Sequence, residues 1–377
     1  MVALPGRKQY KHLNRILVSK NALLFNHNQL LASQPGLAVA PVLKSNAYGH
    51  GLKTVAPIFD SFSPAFLAVD SLYEAYELNS LHLKTPILIL GYTDPQNYVV
   101  KRLPFHFTIF DIESARALNK GQRNCPVHIF VDTGMHREGV MLDKLEDFVR
   151  HVKQLKNLRI VGLASHLADA DNPHENTFTY SQVACFKQAL QILRKNEVFP
   201  QWRHISASGG AHKVKDDVFN LVRAGIVSYG ISPLEKSDRS FGKIDLKPVL
   251  SFMSTIAQIK PLKKGEKVGY SCTFTATKDM VIGVIPAGYY DGIDRRLSNK
   301  GLVLVKNTEC KILGRISMNI TAIDLSGVKK PEVGDEVIII SDIPTAKNCM
   351  CELARICKTI PYDLMVHLAE SLKREIV

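Results

Sequence analysis

Between residues 37 and 226 short apolar runs recur at regular intervals: LAVAPVLK (37–44), AFLAVD (65–70), PILILGY (86–92), FHFTIF (105–110), PVHIFVDT (126–133), IVGLASH (160–166), WRHISAS (202–208) and NLVRAGI (220–226). They are nearly continuous in apolar residues and rich in β-branched ones, the pattern of strands buried on both faces. Between them lie stretches of helical period such as SLYEAYELNSLH and DIESARALNK. Eight alternations predict a parallel (β/α)8 barrel of the TIM type, with a doubly wound open sheet as the alternative reading of the same local pattern. Pro41 has no N–H for a ladder, so the first strand is expected to be irregular there.

From about residue 236 the texture changes. VLSFMSTIAQIK, KVGYSCTF, MVIGVIPAGY, GLVLVK, CKILGRI, ITAIDL and DEVIII follow one another with short Gly, Asn or Asp turns, which predicts a mostly-β domain. NCMCELARICKT is its helix candidate, with Asn348 as N-cap and a stop before Pro361. The expected domains are 10–235 and 236–377, with residues 1–9 open to packing on the second. No internal repeat or low-complexity linker interrupts them.

Composition narrows the class. The 377 residues are 46% hydrophobic and 22% charged, ordinary for a soluble globular enzyme. No apolar run approaches the roughly 18 to 20 residues that cross a bilayer. The basic start MVALPGRKQYKHLNRILVSK lacks the apolar core and small-residue cleavage site of a secretory signal, so a cytoplasmic protein is expected. Its cysteines (125, 185, 272, 310, 349, 351 and 357) are odd in number and scattered, which favours reduced thiols over a disulfide framework. Cys349 and Cys351 lack a second ligand pair, so no metal site is expected. The formal charge of +13 is spread along the chain, and its densest cluster, DRRLSNKG at 294–301, has no interleaved aromatics. Small anionic ligands fit this better than nucleic acid does.

A barrel of this kind carries its chemistry on the loops at the C-terminal ends of its strands. Lys44 ends the first run, Asp132 and Arg137 end or follow the fifth, His166 ends the sixth, Ser208 ends the seventh, and Arg223 lies in the eighth. Taken singly, a strand-end lysine is more often solvated or ion-paired than catalytic. Tyr48, Ser208 with Gly209 and Gly210, the backbone after Gly225, and Tyr362 add hydroxyls and free N–H groups suited to a phosphate. A lysine beside a phosphate site points to an aldehyde cofactor.

KSNAYGHG, DTGMHREG, HISASGG, NLVRAGIVSYGISP, VGYSCTF, IPAGYYDG, GRISMN and TIPYDL, in this order and over nearly the whole chain, resemble the bacterial alanine racemase family. The resemblance implies a pyridoxal 5′-phosphate enzyme of fold type III, a barrel followed by a β domain, that interconverts L- and D-alanine for peptidoglycan. It implies Lys44 as the amine that holds the cofactor aldehyde and as the base on the D side, with Tyr270 as the base on the L side. Inversion needs proton transfer on both faces of the substrate. Bringing a tyrosine from about 10 to near 7 takes roughly 4 kcal/mol of phenolate stabilisation, and His166, approaching Arg223, is implied behind Tyr270. Arg223 is implied to face the pyridine nitrogen. Tyr48, Ser208, Gly225, Ile226 through its backbone, and Tyr362 would hold the phosphate. Arg137 and the backbone of Met318 would receive the substrate carboxylate, and Tyr289 would line the entrance.

Three departures stand out. Phe130 occupies the place of a lysine that many relatives carry carbamylated, Asn319 that of an aspartate, and Glu138 that of a neutral residue. A bound anion such as chloride, or a nearby amide, is therefore expected to orient Arg137. The resemblance further implies a head-to-tail homodimer in which Tyr270 serves the partner's Lys44, and neither nucleic acid nor membrane as partner. A broad-specificity amino-acid racemase, a decarboxylase of the same architecture and a non-catalytic cofactor-binding protein are the alternatives. The carboxylate clamp of Arg137 and Met318 argues against the decarboxylase, and the β domain with Tyr270 against the carrier.

Overall fold

The structure, a computed structural model, describes residues 11–377; the expectation for residues 1–9 lies outside them. Two compact units divide the chain, Lys20–Lys247 and Pro248–Val377, the latter joined by the segment ending at Ser19.

In the first unit the eight apolar runs all form strands: β1 (Ala38–Pro41), β2 (Leu67–Val69), β3 (Ile87–Ile89), β4 (His106–Ile109), β5 (Cys125–Asp132), β6 (Leu158–Ala164), β7 (Trp202–His204) and β8 (Leu221–Ala224). Strands β2 to β7 are hydrogen-bonded in chain order, and β8 pairs with β1, all in parallel. Parallel bridges Val42↔Ala68 and Ala207↔Arg223 close the ring. That closure excludes the doubly wound alternative. Pro41 ends β1 as its missing N–H requires, and the ladder resumes through Val42 N–H to Ala224 O (2.8 Å) and Leu43 N–H to Ala68 O (2.7 Å).

Outer helices explain why the strands read as nearly continuous apolar runs. Helix Leu142–Lys153 buries Leu145, Phe148, Val149 and Val152, an i, i+3, i+4, i+7 stripe, and Thr177–Lys195 buries Val183, Phe186, Leu190 and Leu193. Each such side chain contributes about 1.5–3 kcal/mol when removed from water. Phe66, His128 and His204 are buried together, with Phe66 edge-on to His128 at 5.5 Å between centroids and His128 Nδ1 2.9 Å from His204 Nε2.

The second unit is a nine-stranded sheet that includes Arg15–Val18, antiparallel to Leu250–Thr255 and parallel to Lys373–Ile376. Its helix starts at Met350, with Cys349 in the cap position, which corrects the expected Asn348 cap. Asn348 is instead drawn into the sheet, its side-chain N–H donating to Ile338 O at 2.9 Å. Lys358, in the left-handed region, closes that helix, and Pro361 opens the next, Pro361–Val366. Among the described residues no helix is long and apolar enough to cross a membrane.

Candidate active site

Strand β1 delivers Lys44 to the C-terminal end of the barrel, and the chain then turns with the wrong hand. Ser45, Asn46, Ala47 and Tyr48 have φ of 55, 53, 53 and 51°, four consecutive non-glycine residues in the left-handed region. Each costs roughly 1–2 kcal/mol relative to a right-handed turn, and strain of this sort persists where surrounding bonds over-determine it. Here Ala47 N–H donates to Leu43 O (2.8 Å), Gly51 N–H to Asn46 O (3.0 Å), Leu52 N–H to Asn46 Oδ1 (2.7 Å) and Ser45 N–H to Glu74 Oε1 (2.6 Å).

Lys44 Nζ lies 3.2 Å from Asp70 Oδ1 at the end of β2. Glu74 ties the two together, since its Oε2 accepts from Asp70 N–H at 2.9 Å while its Oε1 accepts from Ser45. Glu74 also completes a capping box with Ser71. The sequence reading passed over Asp70 and Glu74. The signal was the strand-ending Asp followed by S-x-x-E.

Hydroxyl and N–H groups gather where β7 and β8 end. Ser208 Oγ accepts from Gly225 N–H (3.1 Å) and Val227 N–H (3.4 Å). A Cβ at Gly225 would stand 2.7 Å from Tyr48 Oη and 3.5 Å from Ser208 Oγ, so the missing side chain leaves open the space between two hydroxyls. Ile226 continues the loop, fully buried. Burial, seconded by Asp70, pushes Tyr48 up to about 12, which keeps its hydroxyl a donor. These hydroxyl and N–H groups have the chemistry that a phosphate would need, and the Lys44 amine the chemistry that an aldehyde would need.

Arg223 is buried at 3% exposure and held by the barrel itself. Its Nη1 donates to His204 Nδ1 (2.7 Å) and His204 O (2.9 Å), and its Nη2 to Ser165 O (2.6 Å) and His166 Nδ1 (2.9 Å). The four Nη hydrogens are thereby committed, leaving Nε–H as the remaining donor. Burial lowers Arg223 to about 10, still a cation at neutral pH. Burial, then the charges of Arg223, Arg137 and Lys44, push His166 down to about 3. Because arginine only donates, the neutral His166 accepts at Nδ1 and carries its proton on Nε2. His204 was missed at the sequence level; its signal is a histidine inside an apolar run.

Arg137 follows β5 on a loop organised by Asp132, whose Oδ1 accepts from Gly134 N–H (2.8 Å) and His136 N–H (3.2 Å). An anion or amide was expected beside Arg137, and the described side chains offer it a different partner. An ordinary carboxylate holds it: Nε donates to Glu138 Oε2 (2.5 Å) and Nη2 to Glu138 Oε1 (2.8 Å), a bidentate fork. Phe130 is buried and offers no polar atom, and Glu138, the residue after Arg137, takes the task. Nη1 is left facing outward from this fork.

The remaining candidates belong to the second unit. Tyr270 opens a short turn (Tyr270–Cys272) after Gly269, whose φ is 72°. Tyr270 and Tyr289 line one open hollow of about 310 Å³ with Arg295, Ile316 and Ser317. Tyr289 N–H donates to Ser317 O (3.1 Å) and Tyr290 N–H to Met318 O (2.9 Å), which brings Met318 to the same loop pair. Asn319 follows it, exposed. Tyr362 is the second residue of Pro361–Val366. All seven cysteines are free, and no metal-holding cluster of His, Cys, Asp or Glu occurs among the described residues.

Residues 18–233 match the family model described as alanine racemase, N-terminal domain, and residues 249–376 the one described as alanine racemase, C-terminal domain. The alanine racemase of Clostridium tetani is 32% identical over 97% of this chain and 96% of its own length, and that of Halothermothrix orenii 34% identical over 95% of each. Among solved structures, the alanine racemase of Clostridium difficile 630 superposes with a TM-score of 0.90 at 26% identity, covering 98% of this chain and 97% of that one. The Bacillus anthracis enzyme with bound L-Ala-P gives 0.90 at 28%, covering 98% and 96%. With both units matched along their lengths, the chain belongs to the alanine racemase family and is a pyridoxal 5′-phosphate enzyme that interconverts L- and D-alanine.

Proposed function

We propose that this racemisation runs on two bases, Lys44 of one chain and Tyr270 of a second copy, in a head-to-tail homodimer that supplies D-alanine for peptidoglycan. Pyridoxal 5′-phosphate, held by Lys44, the hydroxyls of Tyr48 and Ser208, the backbone of Gly225 and Ile226, and Tyr362, supplies the electron sink that acidifies the substrate α-proton. Lys44 Nζ, released once the substrate amine takes its place, takes or returns that proton on the D side, and Tyr270 Oη does so on the L side. Arg137, through the Nη1 that Glu138 leaves open, and the Met318 backbone hold the substrate carboxylate in place, which favours racemisation over its loss as carbon dioxide. Arg223, cationic and buried, would face the ring nitrogen and so keep that nitrogen unprotonated. Tyr289 lines the entrance.

The observation that carries this reading is the His166 Nδ1 contact with Arg223 at 2.9 Å. It leaves the Nε2 proton of a neutral imidazole to donate to a phenolate, which is what a tyrosine base requires. The dimer is supported by the second unit's uncovered apolar and aromatic side chains: Tyr270 is 69% exposed, Met318 54% and Ile320 52%. The free thiols support a reducing, cytoplasmic location.

Deuterium oxide separates the two bases. Wild-type protein should racemise L-alanine with α-deuterium uptake and no carbon dioxide. The Tyr270→Phe variant should still exchange the α-proton of D-alanine through Lys44 while losing racemisation. Racemisation by Tyr270→Phe at the wild-type rate would remove Tyr270 from the mechanism.

A further inference from the structure

Behind Arg223 the barrel core holds an unbroken line of imidazoles. Arg223 Nη1 meets His204 Nδ1 at 2.7 Å, His204 Nε2 meets His128 Nδ1 at 2.9 Å, and His128 Nε2 meets His106 Nδ1 at 3.2 Å. The four residues come from β8, β7, β5 and β4, and the line crosses the barrel from its active end toward the N-terminal end of β4. His128 and His204 are fully buried.

Arginine has no acceptor, so His204 Nδ1 must accept and its Nε2 must carry the proton. The same logic passes to His128 and then to His106. One donor at the head therefore dictates the tautomer of all three rings.

The barrel is built around this line. Gly162 lies opposite His128 in the ladder, and a Cβ there would fall on the His128 ring at Nδ1. Phe66 packs edge-on against both His106 (4.8 Å between centroids) and His128 (5.5 Å), and against Trp202 (5.3 Å). Cations bound the line at both ends. Arg223 stands at the head, and His106 lines a hollow of about 400 Å³ together with Lys84, Arg102 and Arg123, with no carboxylate in its wall. Burial and Arg159 lower His106 to about 4, while burial and Arg223 hold His204 and, with His106, His128 well below the usual range.

We propose that His204, His128 and His106 form a one-way row of neutral Nε2–H imidazoles that sets the orientation of the Arg223 guanidinium from inside the barrel, making His128 and His106 positioning residues for it. The row fixes the Nη1 edge without adding charge, so the charge that Arg223 would present to the cofactor ring is its own. In that last respect the proposal rests on the functional reading above.

The test uses ¹⁵N-histidine-labelled holoenzyme and two-bond ¹H–¹⁵N correlation spectra, with the three rings assigned by single substitution. All three should show the neutral Nε2–H pattern, unchanged from pH 8 to pH 5. A cationic ring or an Nδ1–H tautomer at any of the three overturns the proposal, whatever the catalytic roles prove to be. The second arm compares His106→Asn, whose Oδ1 can accept in place of Nδ1, with His106→Leu, which leaves His128 Nε2–H without its acceptor. His106→Leu should move the His204 and His128 ¹⁵N resonances and lower kcat about tenfold with KM unchanged, less than the roughly hundredfold of a full 1 Å misplacement. His106→Asn should restore both. If His106→Leu keeps wild-type resonances and kcat, His106 does not position Arg223. The α-proton exchange assay of wild-type protein is scored separately, so failure of the cofactor reading is distinguishable from failure of the row.

Discussion

The cradle at Gly225 offers the sharpest quantitative test, because a single methyl group enters a space bounded on known sides. In a Gly225→Ala variant the new Cβ would lie 2.7 Å from Tyr48 Oη and 3.4 Å from Tyr48 Cζ. Ordinary contact is about 3.5 Å, so the hydroxyl would have to retreat by about 0.8 Å. Tyr48 has little room to do so. Its ring packs 5.1 Å from that of Tyr229, whose hydroxyl is tied to Val42 O at 2.9 Å and whose ring stacks on His50 at 4.3 Å. Overpacking of this kind costs about 1–3 kcal/mol. Charged against the cofactor-binding conformation, it corresponds to about 5- to 150-fold weaker pyridoxal 5′-phosphate binding. The assay strips the cofactor with hydroxylamine and titrates it back, following the visible imine absorbance, with thermal melting of both apoproteins as the control on folding. Wild-type cofactor affinity in a variant that melts like wild type would refute the placement of the phosphate between Tyr48, Ser208 and Gly225.

Two further outcomes are expected. Glu138→Gln removes the charge from the fork that orients Arg137; Arg137 is exposed and Glu138 partly so, and solvent screening limits the pair's worth to about 0–1 kcal/mol. KM for alanine should rise by at most about fivefold with kcat nearly unchanged, and steady-state kinetics showing a large kcat loss instead would assign Glu138 a different role. Acid should destabilise the barrel unit early. His106, His166 and His212 are lowered to about 4, 3 and 4, chiefly by burial, whereas each titrates near 6.5 in the unfolded chain. Between about pH 6.5 and 4 the unfolded chain therefore binds protons that the folded one refuses, and stability falls as pH falls, by up to about 1.4 kcal/mol per pH unit for each histidine. Urea unfolding midpoints that stay flat from pH 7 to pH 5 would contradict the neutral burial of these rings.

Much of the architecture was legible in the order of the residues. Eight apolar runs separated by helical stretches could be satisfied only by strands covered on both faces, and all eight are barrel strands. The strand-end positions of Lys44, Asp132 and His166 followed from the same period, and the irregularity at Pro41, which ends β1, from its missing N–H. These are local properties: periodicity, turn chemistry and the missing N–H of proline act over a few residues and need no knowledge of neighbours in space.

Contacts between distant segments were another matter. Asp70 reaches Lys44 because ring closure sets β1 beside β2, and no local pattern announced that pair. Asn348 is a good N-cap by type, yet the carbonyl of Ile338 claimed its side chain once the sheet had formed. The histidines of β4, β5 and β7 each look like an isolated polar residue in an apolar run, and barrel closure alone brings them into line behind Arg223. Sequence determines which face of a segment must leave water, because that depends on its own side chains. The hydrogen-bond partners of the buried polar groups depend on which strands the closed ring makes neighbours, and only the tertiary structure decides them.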